Sequence, residues 1–434
     1  VLSASVDCQR AHAEEPQVAR KEAIMSNRPF RFVHAADFHL ETPPSGVTEV
    51  PDHLRELFIE SAYLAAERVF ETVLSEQADL LVLAGDLLDP RHTGPRGPLF
   101  LAEQFERLAQ RNVVVYWAGG RVDPPDAWPS SVRLPDNVHV FPRGRPEECI
   151  HSRDGAPLAR LLGASRGRGE IIRTVDFDPD PGRLFSIAVT HGTAEPDALQ
   201  SRGIEYWALG GRHERSTPLR APCTAHYPGS PQGRRPGQCG PHGCTLVQVD
   251  QQRQVRSTLM QTDVMRWHDE RIMVDQETTR EDLEILLRER MQTLMASSPD
   301  TDLLVAWTVA GTGETIGGLR RGAGSAELLE WLRAEFGSGP PAAWSVSLKI
   351  ESTDTLPAEW FEQETIRGDF LRAIRQYEVN GDASLELESY LADEQLAGTL
   401  SFTADLPDGP ARREVLSQAA TLGVDLLSGE ESRT

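Results

Sequence analysis

Residues 30–40, FRFVHAADFHL, set an apolar run of strand length against an Asp-x-His pair, Asp37 and His39, just past its end. The same construction returns along the chain. Residues 78–89, ADLLVLAGDLLD, carry Leu80–Ala84 into Gly85-Asp86, and Val113–Trp117 runs into Gly119-Gly120-Arg121-Val122-Asp123. LFSIAVT (184–190) ends on His191, and YWALGGR (206–212) meets His213. Short apolar runs bounded by such punctuation read as buried strands. Between the first runs, Ile59, Ala62, Ala66, Val69, Phe70, Val73 and Leu74 share one face of a helix over 56–77, and Leu99–Gln110 forms a second amphipathic helix. A β-α-β-α-β opening implies an α/β domain with adjacent strands in one sheet. Further strands fit Val138–Val140 and Thr245–Val249, and the shorter, Gly- and Pro-rich spacings after the opening suit a second sheet. The expected architecture is a four-layer αββα sandwich over residues 29–265.

Loops converge where strands end, which is where α/β sheets bind ligands. One strand ending on a polar residue means little. Several in order, all supplying Asp or His, are hard to explain by packing. Asp37 and Asp86 could cap loops, and His39 and His213 could be structural. As a set they are suitable ligands for manganese, iron or zinc. Paired cations about 3.5–4 Å apart can share a carboxylate, clamp a phosphoryl group and activate water.

These residues resemble the signature of the calcineurin-like metallophosphoesterases, which runs D-x-H, G-D, G-N-H-D, a lone His and G-H-x-H. YWALGGRHERS (206–216) and YPGSPQGRRPGQCGPHGCTLVQVD (227–250) extend the likeness to the bacterial DNA-repair exonucleases, the branch of SbcD and the YhaO-like proteins. The resemblance covers residues 30–250. It implies one metal held by Asp37, His39, Asp86 and His213, and a second held by Asp86, His191 and two further ligands. At those two positions stand Gly120 and Gly211, and Arg121 replaces the proton-donating His, with Val122 an apparent insertion. The expectation is one divalent cation, manganese, rather than two, with Arg121 and His191 as the catalytic candidates. Arg121 and Arg212 could hold a phosphate or replace lost metal charge. The alternative is a catalytically inactive pseudo-phosphoesterase that binds a partner or a DNA end. His34, His92, His226 and His242 fall outside the pattern and read as packing or surface residues.

The 434 residues carry a net charge of −22. Residues 1–265 hold 34 acids and 29 bases, and residues 266–434 hold 32 and 15, so the excess sits in the later part. That argues against general adhesion to nucleic acid. After Met265, a helix at Arg280–Met291, a strand at Leu303–Val309, a helix at Ala326–Phe336 and a strand at Trp344–Ile350 suggest a small α+β domain over 266–354. The Gly-rich stretch 311–324 lacks the Lys-Ser/Thr of a P-loop and reads as a loop. Residues 355–434 read as a helical region, with helices at 365–377, 384–396 and 409–418 and a mobile tail.

No apolar run is long enough to span a membrane. Residues 1–28 read as a disordered extension without a signal-peptide core, and Met25 is a candidate start. Five cysteines without an export signal suggest the reducing cytoplasm. Cys239, His242 and Cys244 lack a standard zinc spacing, and the thiols read as small buried or surface groups. Any ATP dependence must come from a partner, which the resemblance implies is a coiled-coil ATPase of the SbcC or YhaN type acting with DNA. Phe370, Leu371, Ile374 and Tyr377 form an apolar helix face that either packs on its own domain or docks that subunit.

Overall fold

The computed structural model describes residues 28–167, 169–179, 184–320, 323–352, 358–379 and 410–428. Met25 with nearly all of the expected N-terminal extension, the expected helix at 384–396 and the expected mobile tail lie outside them. The chain forms two compact units. The first comprises the described residues up to Asp269 together with Ser297–Ala306 and Ser338–Val346; the second comprises Glu270–Ala296, Trp307–Gly337 and the described residues from Ser347 onward.

The first unit holds two six-stranded sheets, as the sequence implies. The strands are β1 (Phe30–Ala35), β2 (Leu80–Leu83), β3 (Val114–Ala118), β4 (Val138–Phe141), β5 (Glu147–Arg153), β6 (Ala156–Ala164), β7 (Phe185–His191), β8 (Tyr206–Gly210), β9 (Ser216–Leu219), β10 (Thr224–Tyr227), β11 (Gly243–Val249) and β12 (Val255–Gln261). Their orders are β12-β11-β1-β2-β3-β4 and β5-β6-β7-β8-β10-β9. Strands β1 to β4 are parallel, as are β6, β7 and β8, so their C-terminal ends open on one edge of each sheet.

Strand alternation sends every second residue to each face. Phe32, Leu80, Val82, Tyr116 and Ala118 of the first sheet meet Leu161, Ile187, Val189 and Tyr206 of the second in the inter-sheet core. The opposite face of the first sheet, with Val33, Leu81, Leu83, Val115 and Trp117, is covered by α1 (Asp52–Ser75) and α3 (Arg96–Ala109) through Val69, Phe70, Leu101 and Phe105. A four-residue helix, α2 (Pro90–Thr93), precedes α3. Each such side chain contributes about 1.5–3 kcal/mol when removed from water. The layer over the second sheet is thin. Ala188, Trp207 and Leu209 are covered by Ile172, Phe177, Ile204 and Leu199, the last from the five-residue α4 (Pro196–Gln200).

Beyond these lie β13 (Met265–Val274), β14 (Asp302–Gly311) and β15 (Ala343–Ser352), a three-stranded sheet in that order. The helix α5 (Arg280–Ser297) buries Leu283, Leu287, Met291 and Leu294 on one stripe. The stretch expected to be a loop over 311–324 contains a helix instead, α6 (Glu314–Arg320), followed by α7 (Gly324–Phe336). Ile316 and Leu319 are buried three residues apart, and the Thr315 hydroxyl donates to the Thr278 carbonyl at 2.6 Å. Burial of that short stripe outweighs the helix penalty of Gly317 and Gly318. In α8 (Ile366–Val379), Phe370, Leu371 and Ile374 pack against Ala420 and Val424 of α9 (Pro410–Ser428), which runs ten residues past the expected end at 418. No helix of the described residues is long and apolar enough to cross a membrane.

Candidate active site

Asp37, His39 and Asp86 all have positive φ, 57°, 47° and 54°. This left-handed conformation is uncommon outside Gly and is held only where surrounding structure over-determines it. Here the surroundings are a zipper between two loops. Asp37 N–H donates to the Gly85 carbonyl, His39 N–H to Asp86 and Leu40 N–H to Leu87, at 2.9, 3.1 and 3.1 Å. The zipper turns the side chains just past β1 and β2 toward one another. Asp37, His39 and His213 present ligand atoms within 4.8 Å of each other, and so do Asp37, Asp86 and His191. The five residues read as metal ligands are therefore gathered in one cluster.

The ring orientations matter most. His39 Nδ1 faces Glu41 Oε1 at 3.1 Å, and His191 Nδ1 faces the Ala84 carbonyl at 2.9 Å. Both partners only accept, so each Nδ1 carries a proton, and in the neutral ring each Nε2 keeps a lone pair. Those Nε2 atoms face Asp86 Oδ2 at 3.8 and 3.5 Å. His39 Nε2 is buried and has no hydrogen-bond partner. Two imidazole lone pairs and a carboxylate oxygen repel unless a cation or proton lies between them. Burial lowers the proton affinity of His191, against the pull of Asp86. The donor set therefore fits a divalent cation.

Asp37 is completely buried, and burial pushes its carboxyl well above the usual range. Its hydrogen bond comes from Gly211 N–H, at 2.9 Å to Oδ2 and 3.2 Å to Oδ1. A buried carboxylate so sparsely paired gains from a nearby cation.

His213 is placed differently. Gln238 Nε2 donates to its Nδ1 at 3.0 Å, and Gln238 Oε1 is fixed by the Arg234 N–H at 2.8 Å. Arg234 Nη2 lies 3.2 Å from His213 Nε2. Both ring nitrogens thus face donors, and burial followed by the Arg234 charge pushes the ring down to about 4. His213 can ligate only by displacing one of these neighbours. Arg234 is itself buried, which lowers its pKa, while the charges of Asp37 and Glu41 pull it back.

The loop after β3 meets the cluster through its backbone. Arg121 N–H and Val122 N–H donate to Asp86 Oδ1 at 2.5 and 3.0 Å. The Arg121 residue is exposed, and its amide is what reaches the site. A Cβ on Gly120 would lie 2.5 Å from the Asp86 amide nitrogen and 2.9 Å from His191 Nδ1. Gly120 is therefore more than a ligand position left empty, because the backbone has closed into that space. Gly211, with φ 102°, sits where a Cβ would lie 3.1 Å from His191 Nε2. The Arg212 guanidinium stacks 4.6 Å from the Tyr227 ring centre.

Four residues that the sequence reading gave no role support the cluster: Glu41, Asp123, Arg234 and Gln238. The Asp123 carboxylate accepts from the N–H groups of Asp86, Leu87 and Gly120 at 2.8, 3.0 and 2.6 Å and from Trp117 Nε1 at 3.2 Å. Burial, with the Asp86 charge, raises it to about 7. The terminal Asp of the Gly-Gly-Arg-Val-Asp run was the available signal for it. Beside His191 opens a cavity of about 120 Å³ lined by Ser165, Arg166, Ile172, Arg173 and Phe177. Among the described residues, Cys239, His242 and Cys244 form no metal-ligand group. Cys244 is core, and His242 pairs with Ser230 and the Gln238 carbonyl. His34 and His226 are buried packing residues, and His92 is exposed beside Asp89.

No protein-family profile matches the chain. Over 232 residues it is 30% identical to the uncharacterized metallophosphoesterase YhaO of Bacillus subtilis (strain 168), a match covering 50% of this chain and 57% of that protein. The chain thus spans little more than half the length of that curated relative. Similar solved structures include a dimetal phosphatase from Danio rerio, at 13% identity over 53% of this chain and 98% of that one, with a TM-score of 0.33. An archaeal phosphodiesterase matches at 13% identity over 53% and 99%, with a TM-score of 0.27. Over half its length this chain is thus similar to a metallophosphoesterase, and its two-sheet α/β fold gathers a cluster of candidate metal-binding Asp and His residues at the strand ends.

Proposed function

We propose that the chain is a metal-dependent phosphodiesterase acting at DNA ends, weakened by its altered second metal position. The observation that carries this reading is the pair of Nε2 lone pairs, His39 and His191, converging on Asp86 Oδ2. Asp37, His39, Asp86 and His191 would hold a divalent cation there, manganese by analogy with the family resembled, which would supply Lewis-acid polarisation of a phosphoryl oxygen. Glu41 and the Ala84 carbonyl hold the two rings in the ligating tautomer. Arg234 offers a bidentate fork to phosphoryl oxygens, and Arg166 and Arg173 line the adjoining cavity. DNA as substrate, a coiled-coil ATPase of the SbcC or YhaN type as partner and a cytoplasmic setting complete the proposal, all three resting on the sequence resemblance.

One observation favours a second reading, a pseudo-phosphoesterase that binds a partner or DNA end without cleaving it. Arg234 already sets a positive charge beside His213, and the β3 loop closes the space next to Asp86. One experiment separates the two. Protein purified with manganese is assayed for bound metal and for hydrolysis of bis(p-nitrophenyl) phosphate and linear duplex DNA. One ion per chain with slow, manganese-dependent cleavage supports the enzyme. No bound ion and no turnover, with DNA-end binding retained, supports the inactive form.

A further inference from the structure

We propose that His139, Glu147 and Cys149 form a second cation site, of a kind that takes zinc, across the adjoining edge strands of the two sheets. His139 is on β4, the edge of the first sheet, and Glu147 and Cys149 are on β5, the edge of the second. Two residues apart on a strand, Glu147 and Cys149 point to the same side. One ligand atom from each of the three lies within 4.8 Å of the others. The cluster shares no residue with the Asp and His cluster around Asp86.

The distances fit zinc. Ligand bonds of about 2.0–2.3 Å at a tetrahedral centre set neighbouring ligand atoms about 3.4–3.6 Å apart. His139 Nε2 lies 3.2 Å from Cys149 Sγ and 3.7 Å from Glu147 Oε1, each within a few tenths of an ångström of that spacing, and the Glu147 and Cys149 ligand atoms lie within 4.8 Å of each other. The imidazole is held by neighbouring rings, with Phe141 at 4.9 Å and Tyr116 at 6.1 Å between centroids. The Glu147 side chain is 39% exposed, which turns the fourth coordination position toward solvent and a water ligand. A thiolate in the set favours zinc over the harder cations suited to carboxylates and water. The bound ion would strap the two sheets together at the ends of the 142–146 connection, adding binding energy to the fold. Without a cation, Cys149 Sγ and His139 Nε2 share a hydrogen bond.

The test uses the full chain, stripped of metal by chelation and titrated with Co²⁺. A thiolate ligand gives a sulfur-to-cobalt charge-transfer band in the near ultraviolet. The Asp and His cluster contains no sulfur and cannot give one, so failure of the proposed phosphodiesterase activity and failure of this site are read separately. The band is expected in the unmodified protein and in Cys239→Ser, and is lost in Cys149→Ser together with one zinc per chain. Absence of the band, or its survival in Cys149→Ser, overturns the site. Glu147→Gln changes a partly exposed position and leaves the thiol in place. It should raise the cobalt titration midpoint about tenfold, and an unchanged midpoint overturns the three-residue cluster.

Discussion

The loops after β1 and β3 both approach Asp86, and they treat it in opposite ways. The first supplies side chains: Asp37, His39 and Glu41, with one imidazole lone pair held ready by its neighbour. The second supplies only peptide groups, and its amides at 121 and 122 occupy Oδ1. Oδ2 is left to the two histidines. The difference shows how peptide groups can fill the space beside a carboxylate that side chains approach from the other loop. Backbone donors occupy one oxygen of the Asp86 carboxylate, and the chain itself fills the space beside it.

The largest expected effect lies on the side-chain half. His39→Ala and Asp86→Asn should each remove the bound cation and lower phosphodiester hydrolysis by several kcal/mol of barrier, roughly 10²–10⁴-fold. Arg121→Ala should cost about tenfold or less, because its amide survives the substitution. Equal losses in the three variants, measured by initial rate and bound metal, would break the comparison. Arg234→Ala should reduce kcat/KM by about 10–100-fold, with Arg234→Lys failing to restore it, since an ammonium lacks the planar fork. Full rescue by Lys would reduce Arg234 to a point charge.

Gly120→Asn sharpens the contrast from the backbone side. It places a ligand-type side chain where the second metal would want one, yet its Cβ collides with the Asp86 amide. The variant should lose about 1–3 kcal/mol of stability and gain no metal. A second ion per chain with an unchanged Tm would show that the space is open after all.

The smallest effect is a background slope with pH. His151 and His226 lie outside both loops, and burial pushes them down to about 4 and about 3. Their folded pKa values lie below the unfolded value of about 6.5, so the unfolded chain takes up protons first. Their contribution is complete above about pH 6.5 and is lost progressively as pH falls through about 4 for His151 and about 3 for His226. Urea midpoints at pH 7.5 and 5 should show the decline, and His226→Gln, which can still pair with Thr217 or Thr245, should flatten it.

Strands β1, β2, β3, β7, β8 and β11 were legible because each is an apolar run cut off by Gly, Asp, His or a turn. β5 and β6 were not. Glu147–Arg153 lies on a sheet edge and mixes charges into its alternation, and Ala156–Ala164 carries Pro157, Arg160 and Gly163. β13 hid for the same reason, with Asp269, Glu270 and Arg271 in its middle. In the site, Asp37, His39, Asp86, His191 and His213 could be read because each follows a strand. Arg234 and Gln238 could not, since only the tertiary fold brings their loop onto His213. Spacing leaves Gly120 as a missing side chain, and only the fold shows that the peptide has taken its place.

The first unit is completed by two late returns of the chain, Ser297–Ala306 and Ser338–Val346. Leu304, Trp344 and Val346 from those returns close a cluster with Leu54, Phe58 and Trp267. During synthesis, a ribosome that has made every Asp and His of the site still holds a unit whose apolar seam is open. Some eighty residues separate Asp263 from Val346, seconds of translation at about 5–20 residues per second. Truncation after the last sandwich strand would make that transient exposure permanent, so a shortened chain should reach for chaperones or aggregate before its chemistry can be assayed.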